Sequence, residues 1–155
     1  MDPVTADEPL GRLLAMALSA VVEELHESLQ RRGWGPTRPL WGFVLLALRD
    51  EPRSISEVGV LLGVSKQAAG KVVDGLTEAG LVQRSPNAAD RRVAVIRLTK
   101  RGSRFLADVE TIYTEIESRW EDAIGKGRLA DLRTGLESAL NVRYGTERPP
   151  LRPAL

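Results

Sequence analysis

The chain has 155 residues, 43% of them hydrophobic and 28% charged, the length and balance of one globular domain with room for accessory helices rather than of a disordered or fibrous protein. With no cysteine and one histidine it excludes thiol chemistry, disulfide frameworks and the paired-ligand metal motifs. No apolar run approaches membrane-spanning length and no apolar leader opens the sequence, so a cytoplasmic location with no membrane partner is expected.

Taken in order, Thr5-Ala6-Asp7-Glu8 has capping-box spacing ahead of a long amphipathic helix. Its apolar series is Leu10, Leu13, Leu14, Ala17, Leu18, Val21, Val22, Leu25 and Leu29, with Gly33 as its stop. Thr37 is the expected cap of a second helix through Leu40, Phe43, Val44, Leu46, Ala47 and Leu48, which ends before Pro52. Ser54-Ile55-Ser56-Glu57 repeats the capping-box spacing and opens a short helix. Its expected core side is Ile55, Val58, Val60, Leu61 and Leu62, with Gly63 as terminator.

Ser65 then caps a fourth helix. Lys66, Gln67, Ala68, Ala69, Gly70 and Lys71 are small, polar or basic, as a surface laid against bases and phosphates requires. Behind them Val72, Val73, Leu76 and Ala79 form a narrow apolar stripe, and Gly80 closes the helix. Two internal glycines, Gly70 and Gly75, each cost about 1 kcal/mol against alanine, so this helix is not built for stability alone. Two helices joined at Gly63-Val64 make a helix-turn-helix.

Residues 81–84 and 93–98 then flank the polar stretch 85–92, a hairpin with a basic tip. Thr99 caps another long helix with the stripe Phe105, Val109, Ile112, Tyr113, Ile116, Trp120 and Ile124, broken by Gly125 and Gly127. A final helix presents Leu129, Leu132, Leu136 and Leu140 before a Pro-rich tail. Charge is distributed unevenly along this plan. Residues 54–104 hold nine basic and four acidic side chains, +5, while the remainder of the chain carries −4. The positive charge therefore sits on the segment expected to read DNA.

Val72-Val73-Asp74, Leu76, Gly80-Leu81-Val82, Arg84, Asp90-Arg91-Arg92, Leu98-Thr99 and Gly102 together resemble the MarR family of winged-helix transcription factors. The resemblance covers residues 40–102 by motif and the flanking helices by pattern. It implies a mainly α fold with a small β-hairpin wing, and long terminal helices that pair two copies. The expected divisions are an N-terminal dimerisation helix over 1–35 and a winged helix-turn-helix over 36–104, with its helix-turn-helix at 54–80 and wing at 81–98. C-terminal dimerisation helices over 105–145 and a flexible tail over 146–155 complete the plan. The cysteine-free sequence departs from members that sense peroxides through a thiol.

DNA-binding residues expected on this basis are Ser54, Ser65, Lys66, Gln67, Ala69, Gly70 and Lys71 of the helix-turn-helix, then Arg84, Asp90, Arg91 and Arg92 of the wing. Gln67 can bond adenine through two atoms, and the Asp90 carboxylate can hold the Arg92 guanidinium extended toward a minor groove. Set against this, the pair can be an incidental surface ion pair.

His26, Trp34, Arg38, Trp41 and Tyr113 are candidates for an effector pocket, with core filling as the competing role of the aromatics. No cofactor and no metal are expected: His26 lacks a second histidine, and residues 63–71 lack phosphate-loop spacing. The reading is a homodimeric regulator of double-stranded DNA, a repressor released by a small aromatic or anionic effector. Its rivals are a winged-helix DNA-binding or architectural protein without ligand response, and a winged helix used for protein interaction.

Overall fold

The computed structural model describes residues 8–147. Nine elements follow in chain order among them: α1 (Leu10–Arg31), α2 (Pro39–Ala47), β1 (Arg53–Ser54), α3 (Ile55–Leu62), α4 (Lys66–Glu78), β2 (Val82–Pro86), β3 (Ala94–Leu98), α5 (Lys100–Ile124) and α6 (Lys126–Tyr144). The fold is mainly helical with one small antiparallel sheet of order β1-β3-β2. β2 and β3 form the wing, in register Arg84 to Ile96 and Pro86 to Ala94.

Local sequence accounts for most of these boundaries. Ser54 and Glu57 make both bonds of a capping box: Glu57 N donates to Ser54 Oγ at 3.2 Å and Ser54 N to Glu57 Oε2 at 2.7 Å. Gly63 ends α3 at φ +65°, a conformation that glycine adopts without a Cβ penalty. Ser65 Oγ accepts from Ala68 N at 3.1 Å to start α4. Thr99 Oγ1 accepts from Gly102 N at 3.0 Å and donates to Gly80 O at 2.6 Å, so one hydroxyl caps α5 and ties it to the end of α4. A Cβ on Gly102 would stand 2.0 Å from the Leu81 carbonyl oxygen, so only glycine fits this joint.

Several expectations change. The cap of α2 is Arg38, in extended backbone with Pro39 as the first helical residue, not Thr37. Helix α1 begins at Leu10 behind Pro9, without a side-chain cap. Residues 5–7 of the expected capping box lie outside the described residues, as do residues 148–155 of the tail. The α5–α6 break is Gly125 alone, at φ +90°, and Gly127 lies inside α6. Val60 is 78% exposed and Leu61 39%, because α3 buries one narrow side, Val58, Gly59 and Leu62. Strand β1 was not expected, and the wing strands run 82–86 and 94–98.

The core joins α2, α3, α4, the sheet and the first half of α5, through Val44, Leu45, Val58, Leu62, Val73, Leu76, Leu81, Ile96 and Phe105. Only Leu25 and Leu29 of the α1 apolar series are buried, and no residue of α6 is. Leu10, Leu14, Met16 and Leu18 on α1 and Leu132, Leu140 and Val142 on α6 are exposed.

Candidate nucleic-acid interface

Helix α4 meets α3 where two small residues face each other, Ala69 on α4 and Gly59 on α3. Ala69 is fully buried, and a Cβ on Gly59 would lie 3.6 Å from the Ala69 Cβ, so the two helices approach closely. Ala69 is therefore a packing residue and leaves the DNA-facing set. Lys66, Gln67 and Lys71 are exposed, and half-buried Gly70 has open space where a Cβ would stand. That leaves a shallow, cationic first two turns. Ser54 and Ser65 accept as caps, and each hydroxyl keeps its own hydrogen to donate.

The wing tip is built on two aspartate- and asparagine-type turns. Asn87 Oδ1 accepts from Ala89 N at 2.9 Å, and Asp90 Oδ1 accepts from Arg92 N at 3.1 Å. The same Asp90 carboxylate also accepts from Arg92 Nε at 3.1 Å and Nη2 at 3.4 Å. These bonds hold Asp90 below the usual carboxylate range and brace an arginine whose side chain is 91% exposed. Arg84 is engaged differently: it is paired with Asp74 of α4.

Partner status sorts the cations. Arg12, Arg31, Arg32, Arg49, Arg53, Arg119 and Arg133, all outside α4 and the wing, are in ion pairs with carboxylates. Among the described residues Arg38, Lys66, Lys71, Arg91, Arg97, Lys100, Arg101 and Arg104 have no such partner and are exposed. Lys126, Arg128 and Arg143 of α6 are also free of carboxylates. Unneutralised positive charge thus gathers on the reading helix, the wing tip and the start of α5, as counterion release on a polyanion requires. Lys100 and Arg104 contribute to the sequence charge and lie in no motif that singles them out. Only their freedom from carboxylates distinguishes them.

The residues expected to form an effector pocket divide between two depressions. His26, Arg38 and Tyr113 line an apolar cleft of about 230 Å³ with Phe43, Leu46, Phe105 and Val109. Burial lowers the His26 pKa and raises that of Tyr113, so both rings are favoured neutral. Trp34 and Trp41 do not line this cleft. Trp34 donates from Nε1 to Asp108 Oδ2 at 2.7 Å, meets Phe105 edge to face at 5.0 Å and carries the Arg101 guanidinium over its ring at 4.8 Å. Trp41 is buried against Gly75, where a Cβ would come within 3.6 Å of Cζ2, which gives that helix glycine a packing role. Both tryptophans border a second, more polar depression beside α4.

Among the described residues no cluster of His, Asp and Glu is placed to hold a metal, and no helix is long and apolar enough to cross a membrane.

No curated protein sequence matches the chain. Solved structures do. The transcriptional repressor CouR bound to a 23-mer DNA duplex is 26% identical, with TM-score 0.71, over 90% of this chain and 97% of that one. The reduced form of MarR from E. coli is 24% identical, with TM-score 0.74, over 86% and 97%. A MepR variant from S. aureus bound to an oligodeoxyribonucleotide is 16% identical, with TM-score 0.61, over 88% and 99%. The last two likenesses carry the fold alone. The sequence model described as MarR family matches residues 34–93, which span α2, the helix-turn-helix and the wing tip. Over this region the chain is similar to the MarR family, whose members are winged helix-turn-helix, DNA-binding transcription regulators.

Proposed function

We propose that the protein is a homodimeric, sequence-specific repressor that binds a pseudo-palindromic operator and is released by a small aromatic or anionic effector. The observation that carries the reading is the exposed surface formed by the unpaired Lys66 and Lys71 of α4, with Gln67 beside them, together with the Asp90-braced Arg92 of the wing. Helix and hairpin then take different grooves. Gln67 and the lysines reach base edges and phosphates in the major groove, and Arg91 and Arg92 enter the adjacent minor groove. Ser54 and Ser65 add hydroxyl donors to the phosphate backbone.

Homodimerisation follows from the terminal helices. The apolar residues left exposed on α1 and α6 need a cover, and a second copy supplies one with matching two-fold symmetry. Two reading helices then face one side of the duplex. That the DNA-bound structural neighbour at 26% identity is a repressor favours repression. The apolar cleft lined by Tyr113, Phe43 and Phe105, with Arg38 on its rim, suits an aromatic acid.

Selection of bound fragments from genomic DNA tests the reading. Enrichment of one inverted-repeat sequence, bound tightly with a steep salt dependence, is the expected result. Equal recovery of all fragments would favour an architectural role, and recovery of none would favour a protein-interaction module.

A further inference from the structure

Arg38 stands on the wall between the two depressions described above, lining both. On one side is the apolar cleft and on the other the open hollow that contains Lys71 of the reading helix. Arg38 is exposed at the start of α2, and its guanidinium has no partner among the described residues. The other basic groups of the cleft are already accounted for. Arg49 is paired with Glu110 at 2.6 Å, and burial favours neutral His26. Arg38 is therefore the one unneutralised cation on the cleft among the described residues. In the hollow Asp74 is taken by Arg84, Arg101 lies over Trp34, and Lys71 is unpaired, with Glu78 as the remaining acid.

We propose that Arg38 is a shared anion contact. With Lys71 it holds a backbone phosphate of bound DNA, and the same guanidinium turns to the carboxylate of an aryl acid seated in the apolar cleft. The inference rests on the DNA-binding, ligand-released reading above and supplies its chemistry. A guanidinium pairs with phosphate and carboxylate through the same two-pronged geometry, so one side chain serves either anion but not both at once. The aromatic body of the ligand is held by Phe43, Phe105 and Tyr113, and its charge removes a cation from the DNA. Release then requires the anionic group, and a neutral isostere fills the cleft without effect on DNA. Reciprocity follows: duplex weakens binding of the acid by the same factor that the acid weakens binding of duplex.

The test uses the full-length protein, a duplex recovered by the genomic selection, and 2-naphthoate with its neutral counterpart 2-naphthamide as probes. For the parent, naphthoate should weaken duplex binding roughly tenfold, within the ordinary range of allosteric coupling. Naphthamide should raise the melting temperature and leave duplex affinity unchanged. For Arg38→Gln, duplex affinity at low salt should fall several-fold, and the salt slope should shrink by about one unit for each phosphate that Arg38 neutralises. Naphthoate should then no longer affect duplex binding. Arg38→Gln with the parental slope overturns the proposal. So does naphthoate that fails to bind the parent, naphthoate that releases the variant as fully as the parent, or naphthamide that releases duplex as well as naphthoate. A parent protein that binds no duplex at any salt concentration overturns the regulator reading instead.

Discussion

Asp74 on the outer side of α4 and Arg84 on the first strand of the wing are joined by an ion pair that crosses from the reading helix to the hairpin. The two side chains are 68% and 43% exposed, so the pair contributes about 0–1 kcal/mol to stability and acts chiefly on position and charge. Arg84 is thereby held as a strut and is less free to meet DNA than Arg91 or Arg92.

Asp74→Ala should leave the melting temperature within a few degrees of the parent. It should raise affinity for scrambled DNA at low salt, because it removes an acid from the DNA-facing side and frees Arg84. The salt slope should steepen by up to about one unit. Salt titrations on operator and scrambled duplexes measure this. A fall in affinity would show that the orientation of the wing outweighs the charge of Arg84.

Helix and wing variants should differ in kind. Gln67→Ala should cost about 1–3 kcal/mol and relax preference at one position per half-site. Arg92→Ala should weaken binding to operator and scrambled DNA alike, and Asp90→Ala should do the same more weakly, since Arg92 would remain without its brace. If Arg92→Ala binds both duplexes as tightly as the parent at every salt concentration, the wing does not touch DNA.

His26 supplies a pH dependence. Burial places its folded-state pKa below the ordinary value of 6.5, so the unfolded chain binds the proton more readily. Stability should therefore decline as pH falls through about 6.5 and continue to decline until the folded-state pKa is reached. Above that window His26 should have no effect. His26→Gln should flatten the melting-temperature profile on the acid side. An unchanged profile would assign the acid sensitivity to other groups.

Leu136 is half-buried and Leu132 39% exposed on α6, none of whose residues is fully buried. A charge at either position should weaken self-association by orders of magnitude, because it would enter an apolar seam unpaired. Sedimentation of Leu136→Glu should show monomer where the parent shows dimer. A parent that remains a folded monomer at high concentration would remove the premise.

At the α4–wing–α5 joint, Gly102→Ala should destabilise by roughly 3 kcal/mol, because the new methyl group meets the Leu81 carbonyl and neither backbone can yield freely. Chemical denaturation would measure the loss. A cost under about 0.5 kcal/mol would mean that α5 shifts without resistance.

The helix-turn-helix was legible in the sequence because its signals are local: Ser54 with Glu57, Gly63, Ser65 and Gly80 each act within a turn or two. Strand β1 was not, since two residues carry no periodicity and Arg53 becomes strand only by pairing with Ile96. Ala69 reads as surface among polar neighbours, and only Gly59 on the facing helix reveals it as a contact. The same holds for Trp34, whose side of the loop is decided by Asp108, 74 residues away. The exposed stripes of α1 and α6 were readable as apolar. On the proposed reading a second copy covers them, and that pairing is written in no single helix.

The surroundings of Trp34 give the molecule an optical readout. Its indole donates to the Asp108 carboxylate beneath the Arg101 cation, so the ring lies in a strong, oriented local field. Any motion of the start of α5 relative to the α1–α2 turn alters that field and hence the emission of the ring. Trp41 reports in the same way on α4 through Gly75, and Trp120 reports on the second half of α5. Three tryptophans thus sample three separate parts of the protein. Single Trp→Phe variants would resolve, without an added label, whether DNA and ligand move the same part.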